Sequence, residues 1–496
     1  MIRPVLILNQ STTHTTASLV MPDLRVIATS SVPTPATYLG HNCWTLDAEA
    51  IWSDTCQVIQ DVLQTQRLNA GDIAALGITN QRESVVVWER SAQSPVHAAL
   101  SWQDRRASEL CTQWYAQGHE PMLQERTGLI LDPQFSAPKL HHLCQYEMPH
   151  LQSRAERGEL CFGTIDSFLL WRLSQGRAHA TDATNAARTM LYHLQEQRWD
   201  QNLLQWFDIP KSALAEVKNS AGLFAETDPK WFGASIPILA MIGDQQASLL
   251  GHGCLAWGDV KASFGTGCFA LANTEQQRVQ SQHRLISTLA WQIKGQPTYA
   301  LEGTVFSAGS IIDWLEEDLL NLGTDRQSLL ALAENVPTTQ TEVIIPALAG
   351  LGAPHWDQEV RGAMFGLTRD TRLRHLIAAA LRSVAFQTEH LLNSMRYDDI
   401  PLLNVFVDGD TLNHPWFFQN LSDITGLSVY SADTQAVMAR GVAMLCGLEL
   451  GWAQSLTDYQ SLLDRSKAFA SQITDAERDR LLRQWAQAMS RLQAPH

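Results

Sequence analysis

The sequence predicts an α/β protein made of two similar halves, and three observations lead to that prediction. The chain has 496 residues, which is more than one hydrophobic core usually holds, so two large or three smaller domains are expected. Short apolar runs typical of buried strands alternate with longer amphipathic segments typical of helices. A strand, a polar turn and a second strand occur near the start of each half. We therefore predict two domains, residues 1–250 and residues 251–496.

The first of these hairpins is the segment VLILNQSTTHTTASLV, which starts at Val5. Its apolar run Val5–Leu8 predicts a buried strand, and Thr15–Val20 predicts the returning strand. The turn between them offers backbone N–H groups and hydroxyls that can surround an anionic oxygen; the hydroxyls belong to Ser11, Thr12 and Thr13. The first strand ends at Asn9, where a magnesium-dependent site would hold a carboxylate. The pattern predicts a phosphate site without the usual metal-binding charge.

The second hairpin is the segment DVKASFGTGCFALAN, which starts at Asp259. Its small polar turn, Gly265-Thr266-Gly267, follows Ser11 by about half the length of the chain. Two homologous halves that each open with such a hairpin would explain this spacing.

Alternating strand and helix patterns follow each hairpin. In the first half, Ala48–Thr65 predicts an amphipathic helix, and DIAALGIT predicts a buried strand. In the second half, His375–Met395 predicts a helix, LLNVFV a strand, and Pro415–Ile424 a helix with proline in its first turn. The last segment, Asp475–Leu492, predicts a polar helix that covers a surface.

Composition excludes several classes of function. The formal net charge of −15 disfavours general binding to nucleic acids or anionic membranes, because polyanions are bound mainly through clusters of Lys and Arg. The eight cysteines contain no CxxC pair, which argues against a disulfide framework or a zinc ribbon. No apolar run is long enough to cross a bilayer, and the N-terminus lacks the features of a secretory signal. We expect a cytoplasmic protein with no nucleic-acid partner and no membrane span.

A polar pair follows the apolar strand of LAMIGDQQASLLG. Asp244 and Gln245 stand between this strand and a helix-like segment. In open α/β sheets, ligands bind at the carboxyl ends of strands. A simpler interpretation is also open, since an aspartate at the start of a helix is most often a cap.

Other polar residues extend this candidate site. Arg82 and Glu83 end the strand of ITNQRESVVVW, and Trp102 precedes the charged run of SWQDRR. In isolation, such a pair is equally consistent with a solvated turn or a structural ion pair. Together with Asp244 and Gln245, these residues provide donors, acceptors and an apolar wall for a small polyol. For three further polar residues we favour a role as caps and turn formers: Asp166, Asp182 and Asn185.

The chain resembles the FGGY carbohydrate kinases, and within them the branch that phosphorylates glycerol. The resemblance runs nearly from end to end and rests on segments that occur in family order: GITNQRES, SWQDRR, GTIDSFLLWRLS, TDATNAARTML, IGDQQASLLG, FGTGCF, GLGAPHWDQEVRGAMFGLTRDT and VDGDTLNHPWFFQNLSDITG. It implies two actin-like, ribonuclease-H-like ATPase domains that flank a deep cleft. It also implies ATP-dependent phosphorylation of a polyol hydroxyl with Mg²⁺ as cofactor, in an enzyme that we expect to form a homodimer or homotetramer.

The resemblance also implies roles for individual residues. Asp244 matches the general base and, with Asn9, the region of the metal ion. Substrate-binding positions match Arg82, Glu83, Trp102, Gln134, Asp244, Gln245 and Phe269. Nucleotide-binding positions match Thr12, Thr13, Gly265, Thr266, Gly267, Gly309, Asp313, Gly409, Asp410 and His414.

Several of these positions depart from the family pattern. Asn9 stands where the family carries aspartate, and Gln134 stands where the glycerol-phosphorylating branch carries tyrosine. Asp410 replaces the second glycine of a pair, and His414 replaces an asparagine beside the adenosine. Two hypotheses follow: an active kinase, or a non-catalytic polyol-binding or regulatory protein with a weakened nucleotide site.

Overall fold

The computed structural model describes residues 3–319, 325–348, 350–357, 359–432, 434–463, 465 and 467–492. Its strands are β1 Val5–Gln10, β2 His14–Val20, β3 Val26–Pro33, β4 Thr37–Gly40, β5 Cys43–Leu46, β6 Ala75–Asn80, β7 Val85–Glu89, β8 Ala99–Leu100, β9 Leu160–Thr164, β10 Ala180–Asp182, β11 Tyr192–His193, β12 Arg198–Trp199, β13 Glu216–Lys218, β14 Ala221–Glu226, β15 Pro237–Gly243, β16 Val260–Phe264, β17 Cys268–Asn273, β18 Ile286–Ile293, β19 Gln296–Val305, β20 Val343–Ile345, β21 Ala363–Phe365, β22 Asn404–Asp408, β23 Ser428–Ser431 and β24 Ala468–Phe469.

The helices are α1 Ala48–Thr65, α2 Ser108–Ala116, α3 Glu120–Thr127, α4 Ser136–His142, α5 His150–Glu156, α6 Ile165–Leu173, α7 Ala183–Ala186, α8 Gln201–Trp206, α9 Pro229–Phe232, α10 Asp244–Gly251, α11 Gly309–Asp313, α12 Arg326–Ala331, α13 Leu373–Tyr397, α14 Pro415–Thr425, α15 Thr434–Glu449 and α16 Asp475–Leu492.

Two large sheets repeat one topology. The first has the strand order β14-β15-β6-β1-β2-β3, and the second has the order β18-β19-β17-β16-β22-β23-β24. In the first sheet, β1 pairs antiparallel with β2 and parallel with β6, and β6 is parallel to β15. In the second, β16 pairs antiparallel with β17 and parallel with β22, and β22 is parallel to β23. The repeat predicted from the two hairpins is therefore confirmed.

Local sequence explains the main helices. Helix α1 begins after Asp47, whose carboxylate accepts hydrogen bonds from two backbone N–H groups of the first turn, and it buries one apolar face. Helix α14 starts at Pro415 and ends before Gly426, which has φ +70°. The predicted helix His375–Met395 forms the central part of α13. Helix α16 has the bounds predicted for the terminal helix.

The two halves are joined by a crossing of helices α10 and α15. A Cβ atom on Gly251 would lie 1.9 Å from the carbonyl oxygen of Val437, and one on Gly441 would lie 2.0 Å from that of Ala247. The helices therefore pack backbone against backbone, and α15 also lies under β1, β6 and β15. A boundary after Leu250 would cut α10 before its last residue, so the division at residues 250 and 251 stays a prediction.

Among the residues that the structure describes, no helix combines the length and the apolar character needed to cross a membrane.

Candidate active site

The candidate residues of the first half meet at one edge of its sheet. Gln10 at the end of β1 pairs with Asn80 at the end of β6, and Asn80 pairs with Gly243 at the end of β15. The segments that follow these strands therefore leave the sheet side by side. They carry the first hairpin turn, the Arg82-Glu83 pair and Asp244. This common edge is where open α/β sheets bind ligands.

Asp244 is the first residue of α10 rather than its cap. The capping position belongs to Gly243, so the simpler interpretation of Asp244 as an N-cap is wrong. The backbone N–H of Gln245 donates to Oδ1 of Asp244 at 2.7 Å. Burial raises the pKa of Asp244 above its ordinary value, against the opposing charge of Arg82, whose Nε lies 3.6 Å from Oδ1. The carboxylate is thus made more basic within the site.

A tight turn orients Arg82 and Glu83. Glu83 has φ +64°, a left-handed conformation that is unfavourable for a side chain of this size. The N–H of Ser84 donates to the carbonyl oxygen of Arg82 at 2.7 Å, and the Ser136 hydroxyl donates to the carbonyl oxygen of Glu83 at 3.0 Å. Both side chains of the pair are buried. Backbone strain at such a position is typical of a functional site.

The second half contributes one face of its sheet to the same site. Lys261 on β16 pairs with Leu271 on β17, and Leu271 pairs with Glu302 on β19. Phe269, two residues before Leu271 along β17, lies on the same face because side chains alternate along a strand. Charged side chains from the first half meet this face.

Glu302 accepts hydrogen bonds from two arginines of the first half. Nη1 of Arg82 lies 2.5 Å from Oε2, and Nη2 of Arg188 lies 2.8 Å from Oε1. Nε of Arg188 also donates to Oε1 of Glu83 at 2.6 Å. Burial alone would raise the pKa of Glu302, but Arg188 and Arg82 lower it to about 2. The four groups form a buried ionic network at the junction of the two halves.

Lys261 fixes the orientation of the Gln245 amide. Its ammonium group donates to Oε1 of Gln245 and, at 2.9 Å, to the hydroxyl of Ser263. Burial lowers the pKa of Lys261, while Asp408 raises it. With its oxygen occupied, the amide of Gln245 presents its N–H groups as donors.

Two aromatic rings form an apolar wall. Trp102 and Phe269 meet edge to face with centroids 6.0 Å apart, and the guanidinium carbon of Arg82 lies 5.8 Å from the Phe269 centroid. The indole N–H of Trp102 donates to the hydroxyl of Thr12 at 3.0 Å. Trp102 therefore links the predicted polyol-binding residues to the first hairpin turn.

Gln134 lies in a loop held by a buried lysine. The ammonium group of Lys139 donates to the carbonyl oxygens of Pro133, at 3.3 Å, of Gln134, and of Phe135, at 3.0 Å. Burial lowers the pKa of Lys139 to about 7. Gln134 is only 3% exposed, and its side-chain amide has no hydrogen-bond partner among the described residues. The amide is thus left available for a ligand.

The glycines of the second turn serve different purposes. A Cβ atom on Gly265 would meet only the carbonyl oxygen of Gly267, at 4.0 Å, so the space above Gly265 is open. A Cβ atom on Gly267 would lie 2.7 Å from the carbonyl oxygen of Val305, and one on Gly309 would lie 2.0 Å from Cγ2 of Thr411. Gly267 and Gly309 permit close packing, while Gly265 leaves room for a bound group. Thr266 accepts backbone hydrogen bonds from Ala308 and Ser310 at the start of α11.

The other predicted nucleotide residues of the second half lie in different surroundings. Gly409 has φ +114°, and a Cβ atom there would lie 2.0 Å from the carbonyl oxygen of Phe264, so only glycine fits. Asp410 is exposed. His414 caps α14, and Asp313 forms an ion pair with Arg326. Their role toward a nucleotide stays a prediction.

The first hairpin turn is partly occupied by its own contacts. The Ser11 hydroxyl donates to the carbonyl oxygen of His14 at 3.0 Å, and the Thr13 hydroxyl lies 3.0 Å from Nδ1 of His14. Nδ2 of Asn9 points to the sulfur of Met438 at 3.9 Å. Oδ1 of Asn9 is buried and has no hydrogen-bond partner within the described ranges. This oxygen is available to a cation or to its bound water.

A preformed cage for a metal ion is absent from the part of the chain that the structure describes, since no three His, Cys, Asp or Glu side chains cluster suitably. Mg²⁺ keeps several waters and commonly takes only one or two protein oxygens beside those of phosphates. The free Oδ1 of Asn9 and the carboxylate of Asp244 fit that requirement.

Of the three polar residues interpreted as caps and turn formers, Asp182 has that role, and for Asp166 and Asn185 it stays a prediction. Asp182 caps α7, accepting hydrogen bonds from the N–H groups of Thr184 and Asn185. Asp166 accepts from the hydroxyls of Thr164 and Thr181. Asn185 has a further contact, because its amide exchanges hydrogen bonds with that of Asn80, at the end of β6.

Sequence reasoning missed Arg188, Lys261, Glu302 and Lys139. A signal existed for two of them: a single charged residue inside a strand pattern, in VKASF and in TYALEGTV. A buried charge must be paired, so it points to a partner elsewhere in the fold.

Fold and site together define a two-domain phosphotransferase with one site shared by both halves. The model for the N-terminal domain of the FGGY family of carbohydrate kinases matches residues 4–251, and the model for the C-terminal domain of that family matches residues 260–450. The chain belongs to this family of kinases, and the expected fold of two actin-like domains flanking a deep cleft is confirmed.

Individual relatives agree with this assignment. The chain is 43% identical to "Glycerol kinase 1" of Pseudomonas aeruginosa over 90% of each chain. It is 41% identical to a glycerol kinase of Methylobacterium nodulans over 99% of this chain and 98% of the relative. A crystal structure of Plasmodium falciparum glycerol kinase with ADP superimposes with a TM-score of 0.92 at 28% identity, covering 100% of this chain and 99% of that one.

Proposed function

We propose that this protein transfers the γ-phosphoryl group of ATP to a hydroxyl of glycerol or of a closely related small polyol or sugar. The observation that carries the proposal is the setting of Asp244. Its carboxylate lies 3.6 Å from Nε of Arg82, whose guanidinium carbon lies 5.8 Å from the ring centroid of Phe269. Membership of the carbohydrate kinase family supports the same reaction.

Asp244 acts as the general base. Its carboxylate accepts the proton of the substrate hydroxyl while the hydroxyl oxygen bonds to the γ-phosphorus and the bond to the β,γ-bridging oxygen breaks, which releases ADP. Burial raises the pKa of Asp244, and this improves the carboxylate as a proton acceptor. Most of the remaining catalysis is alignment and neutralisation of charge.

The polyol is recognised by groups that the protein itself leaves available. The Gln245 amide presents donors because Lys261 occupies its oxygen, and the Gln134 amide offers both a donor and an acceptor. Arg82 and Glu83 bind hydroxyl groups, and the two aromatic rings cover the carbon chain. A glutamine at position 134 favours a substrate with more hydroxyls than an aromatic residue would accept.

The phosphates of ATP bind between the two hairpin turns. Thr12 and Thr13 supply hydroxyls from one side, and the backbone of Thr266 and Gly267 supplies N–H groups from the other, next to the open space above Gly265. Asn9 and Asp244 would hold Mg²⁺, which neutralises charge on the phosphate oxygens when it is bound. No observation among the described residues favours the non-catalytic hypothesis over the kinase.

A screen of ADP release tests the proposal. Purified protein is given ATP, with Mg²⁺ or Mn²⁺, and one of a series of glycerol, tetritols, pentitols and ketoses. We expect polyol-dependent ADP release with at least one member of the series. Binding of a polyol by calorimetry without any ADP release would support the polyol-binding hypothesis instead.

Two further expectations accompany this function. A homodimer or homotetramer is tested by light scattering of the purified protein, and a monomeric mass would contradict it. The cytoplasmic location also stays a prediction, which fractionation of the source cells would test.

A further inference from the structure

We infer that Glu302 and Arg188 are positioning residues that hold the substrate-binding pair Arg82-Glu83 in place. Because Glu302 belongs to the second half, this support exists only when the two halves are in contact. The inference rests on the proposed function for its kinetic consequences, but the network itself is independent of the substrate. Neither Glu302 nor Arg188 is proposed to contact the polyol or the nucleotide. Each acts through Arg82 or Glu83, which are proposed to bind the polyol.

The connections run from one half to the other. Glu302, on β19 of the second half, binds Arg82 directly through both carboxylate oxygens, at 2.5 Å and 3.3 Å. It reaches Glu83 through Arg188, whose guanidinium donates to Oε1 of Glu302 at 2.8 Å and to Oε1 of Glu83 at 2.6 Å. One carboxylate of the second half therefore determines the position of both residues of the pair.

The turn that carries the pair needs such support. Glu83 has φ +64°, and a strained residue keeps its conformation only where its surroundings enforce it. Without Glu302, Arg82 would pair with two other anions within reach, since its Nε lies 3.6 Å from Asp244 and 3.8 Å from Glu83. Binding to Glu302 keeps the Nη atoms of Arg82 away from Asp244, so that the Asp244 carboxylate remains able to accept a proton.

Stability alone does not account for the network. Buried ion pairs contribute little net stability compared with apolar residues of the same volume. Arg188 is fully buried, and its Nη1 has no hydrogen-bond partner among the described residues. A buried guanidinium with one unsatisfied donor is unfavourable if its role is only to fill space. The same planar group is well suited to bridging two carboxylates in a fixed geometry.

The first test removes the charge of Glu302 and keeps its shape. For Glu302→Gln we expect kcat/KM for the accepted polyol to fall by about 100-fold, because a misplacement of about 1 Å in a positioned group has effects of this size. The loss should appear as a raised polyol KM together with a lower kcat, while the KM for ATP changes little. A polyol KM within twofold of the wild-type value would overturn the inference.

The second test separates geometry from charge. Arg188→Lys keeps the positive charge but cannot bridge two carboxylates with a planar fork. We expect kcat/KM to fall about tenfold, equivalent to about 1.4 kcal/mol, with an unfolding temperature close to that of the wild type. An unchanged kcat/KM in this variant would mean that Arg188 contributes charge alone, and the inference would fail.

A double variant controls for charge balance. Glu302→Gln with Arg188→Met removes one anion and one cation, so it should recover stability relative to Glu302→Gln. The polyol KM should not recover, since Arg82 and Glu83 remain unsupported. Recovery of both stability and KM would show that the network serves only charge balance and would overturn the inference.

A matched control comes from another buried glutamate of the second half. Glu389 pairs with Arg396 at 2.8 Å and is buried, but it lies on α13, outside the site. Glu389→Gln should leave the polyol KM unchanged. If it raised KM as much as Glu302→Gln does, the effect would be a general consequence of destabilisation, and the positioning role would be wrong.

A readout without catalysis keeps the inference distinct from the proposed function. Hydrogen exchange measured by mass spectrometry reports local opening. In Glu302→Gln, peptides covering residues 79–88 and 298–306 should exchange faster than in the wild type and in Glu389→Gln. Faster exchange with no accepted polyol would refute the proposed function and support the network, whereas unchanged exchange would refute the network.

Discussion

The two hairpin turns have the same place in the same topology, but they offer a phosphate different chemistry. The turn between β1 and β2 presents side-chain hydroxyls, and those of Ser11, Thr12 and Thr13 already have contacts within the protein. The turn between β16 and β17 presents backbone, with open space above Gly265. A repeated fold thus supplies two binding surfaces that can change independently.

The two turns should therefore differ in how they tolerate substitution. The backbone turn tolerates few changes, because a Cβ atom on Gly267 would lie 2.7 Å from the carbonyl oxygen of Val305. A side-chain turn tolerates substitution, because losing one hydroxyl or charge leaves the hairpin intact. Asn9 in place of a carboxylate is such a change. The variants below are therefore expected to affect chemistry, nucleotide binding and metal dependence separately.

The largest effect is expected at Asp244, the proposed general base. Asp244→Asn should lower turnover by about 10²- to 10⁴-fold, because an amide cannot accept the hydroxyl proton. The fold should persist, since Gly243 and not Asp244 caps α10. The measurement is kcat with any accepted polyol, with thermal unfolding as the check on folding. Asp228→Asn, at the surface cap of α9, is the matched control, and near-normal turnover of Asp244→Asn would show that Asp244 is structural.

The next effect is expected at the glycine turn. Gly265→Val fills the open space above the turn, so the KM for ATP should rise about tenfold, equivalent to about 1.4 kcal/mol. The unfolding temperature should change no more than in Gly71→Val, since a Cβ on Gly71 also meets open space, in the turn that precedes β6. Thr13→Val, in the other turn, removes one hydroxyl and should raise the KM for ATP about threefold. The reverse order of effects would mean that the side-chain turn dominates nucleotide binding.

A gain of function is expected at Asn9. Asn9→Asp should raise turnover by about threefold to tenfold and lower the Mg²⁺ concentration required, because a carboxylate attracts the cation with a full negative charge whereas an amide offers only a dipole. The variant loses the contact of Nδ2 with the Met438 sulfur, so Met438→Leu is the control for that contact. The measurement is a magnesium titration of ADP release at saturating polyol. Superimposable curves for wild type and variant, with substantial activity, would show that Asn9 does not hold the metal.

The smallest effect is expected at Gln134, whose carbonyl oxygen is held by the buried Lys139. Gln134→Tyr replaces a donor and an acceptor by a ring with one hydroxyl, so the preference for longer polyols over glycerol should fall about threefold. The kcat/KM values for glycerol and for the pentitols give this ratio. Gln145→Tyr, on the outside of the same domain and part-buried, is the control. An unchanged ratio would mean that position 134 does not select the substrate.

Local pattern determined most of the fold and part of the site. Strands and helices such as β1, α1 and α16 follow from apolar periodicity and from caps, which act over a few residues. The adjacency of Arg82 and Asp244 also followed, because parallel strands bring their carboxyl ends to one edge. The family resemblance then assigned expected roles to residues that local pattern had only marked as polar.

Only the tertiary structure decided which charges stabilise one another. Glu302 lies 220 positions from Arg82 and 114 from Arg188, and no local period relates residues so far apart. Nor could the sequence show that Gly243 caps α10, since the cap depends on backbone angles where β15 ends. The pKa of a buried group is set by its desolvation and by the charges around it, and both exist only in the folded chain. For this reason the sequence by itself was enough to place Asp244 and Arg82 in the candidate site. The contact of Arg82 with Glu302 became visible only in the folded structure.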